Sequence, residues 1–413
     1  MLVQSSAGDE KDDGSASQLT RRGRDLGPLE LGFGIALAVA LHVLVFPVET
    51  ADVRDYLIPW LRHTDQVGLD YLRQPFTDYA PFYEHLYALL SLFPGDAVIR
   101  AKIFYICFEV AGAFLVTLVV PRDSRRRAFV AALLLPTVIH NAAATGQSDA
   151  IYTVFLLLSL LASMRRRPVF AMLAFSVALS IKFQSLLYLP FLALLFFRKR
   201  QPWWTFSLLP AGYVLFSIPM FLASRPIQDL INVYTNQAAK NGGLSSNAPN
   251  FWLLGNALPD TQIALLIGLP AAALTVLACV IWMSRKRLVD SKEGMLLAAT
   301  TLMFLSTWIA PKMLDHFFYP AQILLLCLCF YNGRYLVVLG LAQLASLLSY
   351  VPFIMVSYDR FNPFFGETGY MQSHFGFGWG IFALAGAVPM TMVVVILLRW
   401  CANYRGEGEP QLS

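Results

Sequence analysis

Three separated stretches of this sequence hold side chains whose types could act on one substrate. Residues 49–99 collect Glu49, Asp52, Asp55, Asp65, Asp70, Asp78, Glu84 and Asp96, with His63 and His85, directly after an apolar run. A carboxylate at a membrane boundary gains proton affinity by partial burial, and it needs only hydrogen-bond reach to a hydroxyl to serve as a general base. Most acids in one loop are instead solvated or paired, and Arg54, Arg62 and Arg73 are available as partners. A second stretch, Gly146-Gln147-Ser148-Asp149, stands before an apolar helix. An ionised Asp149 is costly there unless it is paired or faces a polar cavity, although a helix N-cap at Ser148 or Asp149 explains the same residues. Lys182 falls between two short apolar segments, where it either snorkels or faces an anionic group. The third stretch, residues 310–320, gathers Lys312, Asp315 and His316 between two apolar runs. An ammonium at this depth can hold a phosphate as a point charge; a structural Lys312–Asp315 pair at i, i+3 is the alternative.

Around these groups, residues 225–256 carry Asn232, Asn236, Gln237, Asn241, Asn247 and Asn250 among Tyr234, Phe251 and Trp252. Amides beside aromatics suit sugar hydroxyls and ring faces; they also suit a turn-rich loop. Glu109 stands alone in an apolar run with no partner named by the sequence. A divalent cation on Asp52, Asp55 or Asp149 is an alternative source of positive charge, though no ligand spacing supports it, and no other cofactor is indicated. Cys107, Cys279, Cys327, Cys329 and Cys401 show neither metal-ligand spacing nor obvious disulfide pairing.

The elements that must position these groups follow from composition. The 413 residues are 57% hydrophobic and 14% charged, against about 25% charged in a soluble domain. A water-soluble globular fold is excluded, and a net charge of +5 is too small and scattered to point to nucleic acid. Residues 1–28 read as a disordered cytoplasmic tail without a signal-peptide core, residues 29–400 as one polytopic all-α membrane domain of about twelve spans, and 401–413 as a short cytoplasmic tail. Between Pro168 and Arg198 the chain must cross twice in about 30 residues, where two full spans need about 40. Those helices are therefore expected to be half-length or tucked inside the bundle.

Orientation follows from the basic clusters. With both termini inside, 21 of the 31 Lys and Arg fall on the cytoplasmic side, and residues 49–99, 223–261 and 357–377 become the long extracytoplasmic loops. Within the first loop, Val53, Tyr56, Leu57, Trp60 and Leu61 share one helical face, with Asp52 at its border, Asp55 on the wetter side and Pro59 set to bend the helix. Phe82, Tyr83, Leu86, Tyr87 and Leu90 form a second such face, with Glu84 and His85 away from it. Two interfacial helices are the expectation. A transporter or flippase of a lipid-linked sugar also fits many spans with intramembrane charge, but no internal repeat is evident. A silent partner in polysaccharide assembly is the third reading.

Taken in order, Asp52-Val-Arg-Asp55-Tyr56-Leu-Ile-Pro59-Trp60, Tyr79-Ala-Pro81, Gly146-Gln147-Ser-Asp149, Ala178-Leu-Ser-Ile-Lys182-Phe-Gln184, Tyr234-Thr-Asn236-Gln237 with Ser246-Asn247-Ala-Pro249-Asn250, and Pro311-Lys312-Met313 form a recognisable set. The set resembles the bacterial GT-C glycosyltransferases of the mannosyltransferase-like group, over about Asp52 to Tyr350. The resemblance implies an inverting enzyme of the bacterial inner membrane, moving a sugar from a polyprenyl-phosphate donor to a glycan or lipid acceptor on the extracytoplasmic side. It implies an Asp base in the first loop, matched by Asp52 with Asp55 as runner-up. Lys312, Lys182 and Arg54 are the expected phosphate-binding cations, and Tyr79, Gln147, Asp149, Asn236, Gln237, Asn247, Asn250, Asp315 and His316 the expected substrate contacts. Where the family continues Pro-Lys-Met with His-Glu-Arg-Tyr, this chain has Leu314-Asp315-His316-Phe317. Of that pattern only Asp315 keeps the acidic character.

Overall fold

A computed structural model describes residues 25–50, 52–77, 79–233, 244–257, 261–357 and 380–404. Asn236 and Gln237 lie outside the described residues. The described chain is almost entirely helical. Its helices are α1 (Pro28–Val45), α2 (Ile58–Val67), α3 (Pro81–Ser91), α4 (Ala97–Val119), α5 (Arg125–Leu134), α6 (Pro136–Ile139), α7 (Asp149–Met164) and α8 (Pro168–Ile181) in the first half. The second half contains α9 (Leu189–Phe197), α10 (Leu209–Leu222), α11 (Ile227–Ile231), α12 (Thr261–Ser284), α13 (Lys292–Ile309), α14 (Tyr319–Cys329), α15 (Tyr335–Ser357) and α16 (Gly380–Asn403). Two-residue strands β1 (Ser245–Ser246) and β2 (Met313–Leu314) pair in parallel.

Proline sets many of the breaks. Pro28, Pro81, Pro136 and Pro168 each stand in the first turn of a helix, where the missing N–H has no intrahelical partner to lose, while Pro59, Pro190, Pro210 and Pro320 stand where a π or 3-10 turn hands over to an α-helix. The chain is thereby cut into short rods. Caps fix other starts: the Glu30 carboxylate accepts from the Gly27 amide at 2.7 Å, and Asp96 accepts from the amides of Val98 and Ile99.

The described residues bear out a helical bundle with membrane-capable helices and leave the expected count of about twelve spans unconfirmed. Among the described residues five helices are long and apolar enough to cross a membrane, six if the pair Arg122–Leu134 and Pro136–Ala144, bent by 48°, counts as one. Shorter apolar helices, including Asp149–Met164, Pro168–Ile181 and Asp315–Cys329, are 10–17 residues long, and at 1.5 Å per residue they fall short of a hydrocarbon core of about 30 Å. Asp149–Met164 and Tyr319–Cys329 are buried along most of their length. The centre is α13, buried continuously from Gly294 to Thr307 because it is apolar on every side.

The first loop folds as helices at both expected places. A π-helical turn, Val53–Leu57, runs into α2, burying Val53, Leu57 and Leu61. Pro59 sits where the π turn hands over to the α-helix. In α3 one expectation is overturned: Glu84 is fully buried rather than turned away. Its carboxylate takes Arg225 Nη1 at 2.7 Å and Nη2 at 3.3 Å. This helix is covered on both faces, so a residue opposite its apolar stripe meets protein instead of water.

Candidate active site

Asp52 precedes the π turn and is half-buried, whereas Arg54 and Asp55 are exposed. Its Oδ2 accepts from Gln147 Nε2 at 2.6 Å, a bond joining residues 95 positions apart. The approach depends on Gly146, whose φ of +63° favours glycine and whose missing Cβ would stand 2.9 Å from Val53 Cγ2. The Gln147 amide in turn donates to the Asn141 carbonyl at 2.8 Å, closing the end of a second π turn, His140–Ala144. Burial pushes the Asp52 carboxyl above its ordinary value, and the charge of Asp315 adds to this; His316, the Gln147 bond and Lys182 act against it.

Asp149 is the first residue of α7 and is fully buried. Its carboxylate receives Lys182 Nζ at 2.8 Å and Asn141 Nδ2 at 3.0 Å, with His316 Nε2 at 3.8 Å. Ser148 makes no side-chain cap, so this carboxylate binds side chains instead of closing the helix end. Lys182, where α8 stops, is 2% exposed and stands 5.5–5.8 Å from the rings of Phe317, Tyr79 and Tyr152. A desolvated ammonium gains from such ring faces. His316 lies in the turn Asp315–Phe318 with Nδ1 2.8 Å from Asp315 Oδ1. That contact puts a proton on Nδ1 and leaves Nε2 directed toward Asp149.

Asp52, Gln147, Lys182 and His316 share the wall of a cavity of about 460 Å³. Its other wall is aromatic, formed by Tyr56, Trp60, Tyr79, Tyr83, Tyr87 and Phe317. The hydroxyls of Tyr83, Tyr87 and Tyr105 bond to one another at 2.9–3.3 Å, and burial pushes that of Tyr79 above the usual phenol range. The cavity thus combines a carboxylate of raised proton affinity, an ammonium and an imidazole each beside an acid, and flat apolar faces.

Other expected site residues sit elsewhere. Arg54 and Asp55 are not on the wall; Arg54 Nη1 donates to the Glu49 carbonyl. Lys312, also off the wall, has φ +62° and donates its amide to the Leu244 carbonyl at 2.7 Å. The strand beginning one residue later carries Leu314 to the cavity. Lys182, expected to face the donor phosphate, has its ammonium on Asp149. Asn247 bridges to Leu314 and its carbonyl accepts from the Ser349 hydroxyl. Asn250 is buried and donates to the Ala310 carbonyl at 3.1 Å, so both amide residues fasten the 245–250 loop to the 310–314 segment. Among the described residues no three His, Cys, Asp or Glu side chains converge as a metal site; Asp55 faces away and the Asp149 carboxylate is occupied by side chains.

Sequence reasoning missed Asn141 and Tyr105; it placed Tyr83 and Tyr87 on one helical face, but as part of an interfacial helix and not as a cavity wall. A protein-family model for glycosyltransferase family 87 matches residues 76–308. That stretch includes Tyr79, Gln147, Asp149 and Lys182, and leaves Asp52, Lys312, Asp315 and His316 outside it. No curated protein matches the chain.

Proposed function

The chain belongs to glycosyltransferase family 87, a family of polytopic membrane glycosyltransferases of the GT-C type, and from that premise we propose that it moves a hexose, mannose in first place, from a polyprenyl-phosphate donor to a glycan or lipid acceptor on the extracytoplasmic side of the bacterial inner membrane. Asp52 is the base. It removes the proton of an acceptor hydroxyl as that oxygen attacks the anomeric carbon; the bond from this carbon to the phosphate oxygen breaks, and polyprenyl phosphate leaves with the bonding pair. Attack opposite the leaving group inverts the anomeric centre.

The observation that carries this reading is the position of Asp52: half-buried on the wall of the cavity, held by Gln147 and raised in proton affinity. A base whose affinity lies above that of an ordinary carboxylate takes a proton from a hydroxyl more readily. Lys312 is proposed to face the donor phosphate, a reading supported by its place two residues before Leu314 of the cavity wall. Asp149 and Lys182 neutralise each other and present the aromatic wall and His316 to the sugar. Arg54 and Asp55, exposed and off the wall, take no part.

The test uses purified protein in lipid nanodiscs with a radiolabelled polyprenyl-phosphate mannose and a panel of glycan and glycolipid acceptors. Asp52→Asn keeps shape and removes basicity, so turnover falls by about 10²–10⁴-fold with donor binding retained. Near wild-type turnover in Asp52→Asn with loss in Asp55→Asn would move the base three residues along.

A further inference from the structure

Helix α4 carries two buried charged side chains, Lys102 and Glu109, that play no part in the chemistry above. Seven positions apart, they lie on nearly the same face of the helix. The Lys102 ammonium is fully buried and donates to the carbonyls of Phe46 at 2.7 Å, Val48 at 2.5 Å and Ala144 at 3.3 Å. Glu109 Oε1 accepts from the Ala142 amide at 3.2 Å, and its Oε2 lies 3.3 Å from His42 Nε2. The opposite ring nitrogen of His42 is fixed 2.7 Å from the Ala38 carbonyl. Each charge therefore grips the same two pieces of chain. One is α1 with its exit at 46–48; the other is the π turn His140–Ala144.

Those two pieces lead directly into the cavity. The first reaches Asp52 within a few residues, the second Gln147, and they touch on the way where the Thr50 hydroxyl donates to the Thr145 carbonyl at 3.3 Å. Backbone groups at a helix exit or in a π turn lack the regular intrahelical partner. Apolar side chains at 102 and 109 would fill the same space at lower desolvation cost. What apolar packing cannot do is bind carbonyls and an amide at fixed distances.

We propose that Lys102 and Glu109 are positioning residues: a two-point clamp on α4 that sets the end of α1 against the π turn and thereby aligns Asp52 with Gln147. The proposal rests on the reading of Asp52 as the base. Its geometric part can be measured without any substrate.

The experiment combines two readouts on the full-length protein in nanodiscs. With the five native cysteines replaced by serine, Thr50→Cys and Thr145→Cys report the approach of the two segments by their rate of disulfide formation under a mild oxidant. In the native-cysteine protein, transfer from radiolabelled polyprenyl-phosphate mannose is resolved into kcat and donor KM. Lys102→Met is expected to slow cross-linking severalfold and to lower kcat by about 10²-fold, the cost of a displacement near 1 Å, with donor KM little changed. Lys102→Arg, which restores donors to the three carbonyls, recovers part of both. Should Lys102→Met fail to fold, Glu109→Leu and Glu109→Gln carry the same test: the leucine variant loses the Ala142 contact, while the glutamine variant keeps an acceptor and recovers most of the rate. Unchanged cross-linking and kcat overturn the clamp, as does an effect confined to donor KM. If the unaltered protein transfers nothing from the donor yet cross-linking slows in Lys102→Met, the clamp stands and the donor assignment falls.

Discussion

Replacing Lys182 by methionine separates two roles that its position allows. The ammonium and the Asp149 carboxylate are 2% and 0% exposed and 2.8 Å apart. At an effective dielectric of about 20, their attraction is roughly 6 kcal/mol before desolvation is counted. Lys182→Met leaves the carboxylate with Asn141 at 3.0 Å and with His316 at 3.8 Å, a ring that can close in. The expected net loss is about 3–5 kcal/mol, the cost of stranding one partner of a buried pair. For a chain of this length that reads as a drop of roughly 3–6 °C in apparent melting temperature. The assay is thermal unfolding of purified protein in one fixed detergent, followed by intrinsic fluorescence. The double variant Lys182→Met/Asp149→Leu removes both charges and should return to within about 1 kcal/mol of the parent, while transfer is lowered because the cavity wall has lost its ammonium. A single variant that melts within about 1 °C of the parent, well inside the expected shift, would refute the reasoning. If such a variant also used the donor poorly, Lys182 would serve the phosphate instead of Asp149.

Three further outcomes are expected. The base acts as a carboxylate, so kcat/KM falls as pH drops through the Asp52 pKa, which burial raises and the Gln147 bond lowers; Gln147→Leu should therefore move the acid limb of the pH profile upward, and an unmoved limb would show that the bond does not tune the base. Lys312→Met should raise donor KM roughly tenfold to a hundredfold, as loss of a charge-assisted phosphate contact does; an unaltered KM places the phosphate elsewhere. Cysteine introduced at Asp65 should react with an impermeant thiol reagent in intact cells and cysteine introduced at Arg166 only after permeabilisation, the reverse pattern inverting the topology.

The sequence by itself determined that this is a helical membrane protein, because apolar content and charge depletion are sums over residues and need no knowledge of who touches whom. Local periodicity also separated Asp52 from Asp55, since three positions on a helix turn a side chain by most of a revolution; the structure half-buries the first and exposes the second. The prolines at helix starts are local too, through their absent N–H. The number of full spans was not legible, because a short apolar helix reads alike whether lipid or protein surrounds it, and only packing buries α7 and α14 inside the bundle. Nor were the pairings legible. Glu84 takes Arg225, Glu109 takes His42, Asp149 takes Lys182, and Asp52 takes Gln147. In a medium of low polarity almost any buried carboxylate would accept any of these donors. Which ones meet is decided by how helices distant in sequence lie against one another, and that arrangement, set by the combined packing of all the elements, is what the tertiary structure adds.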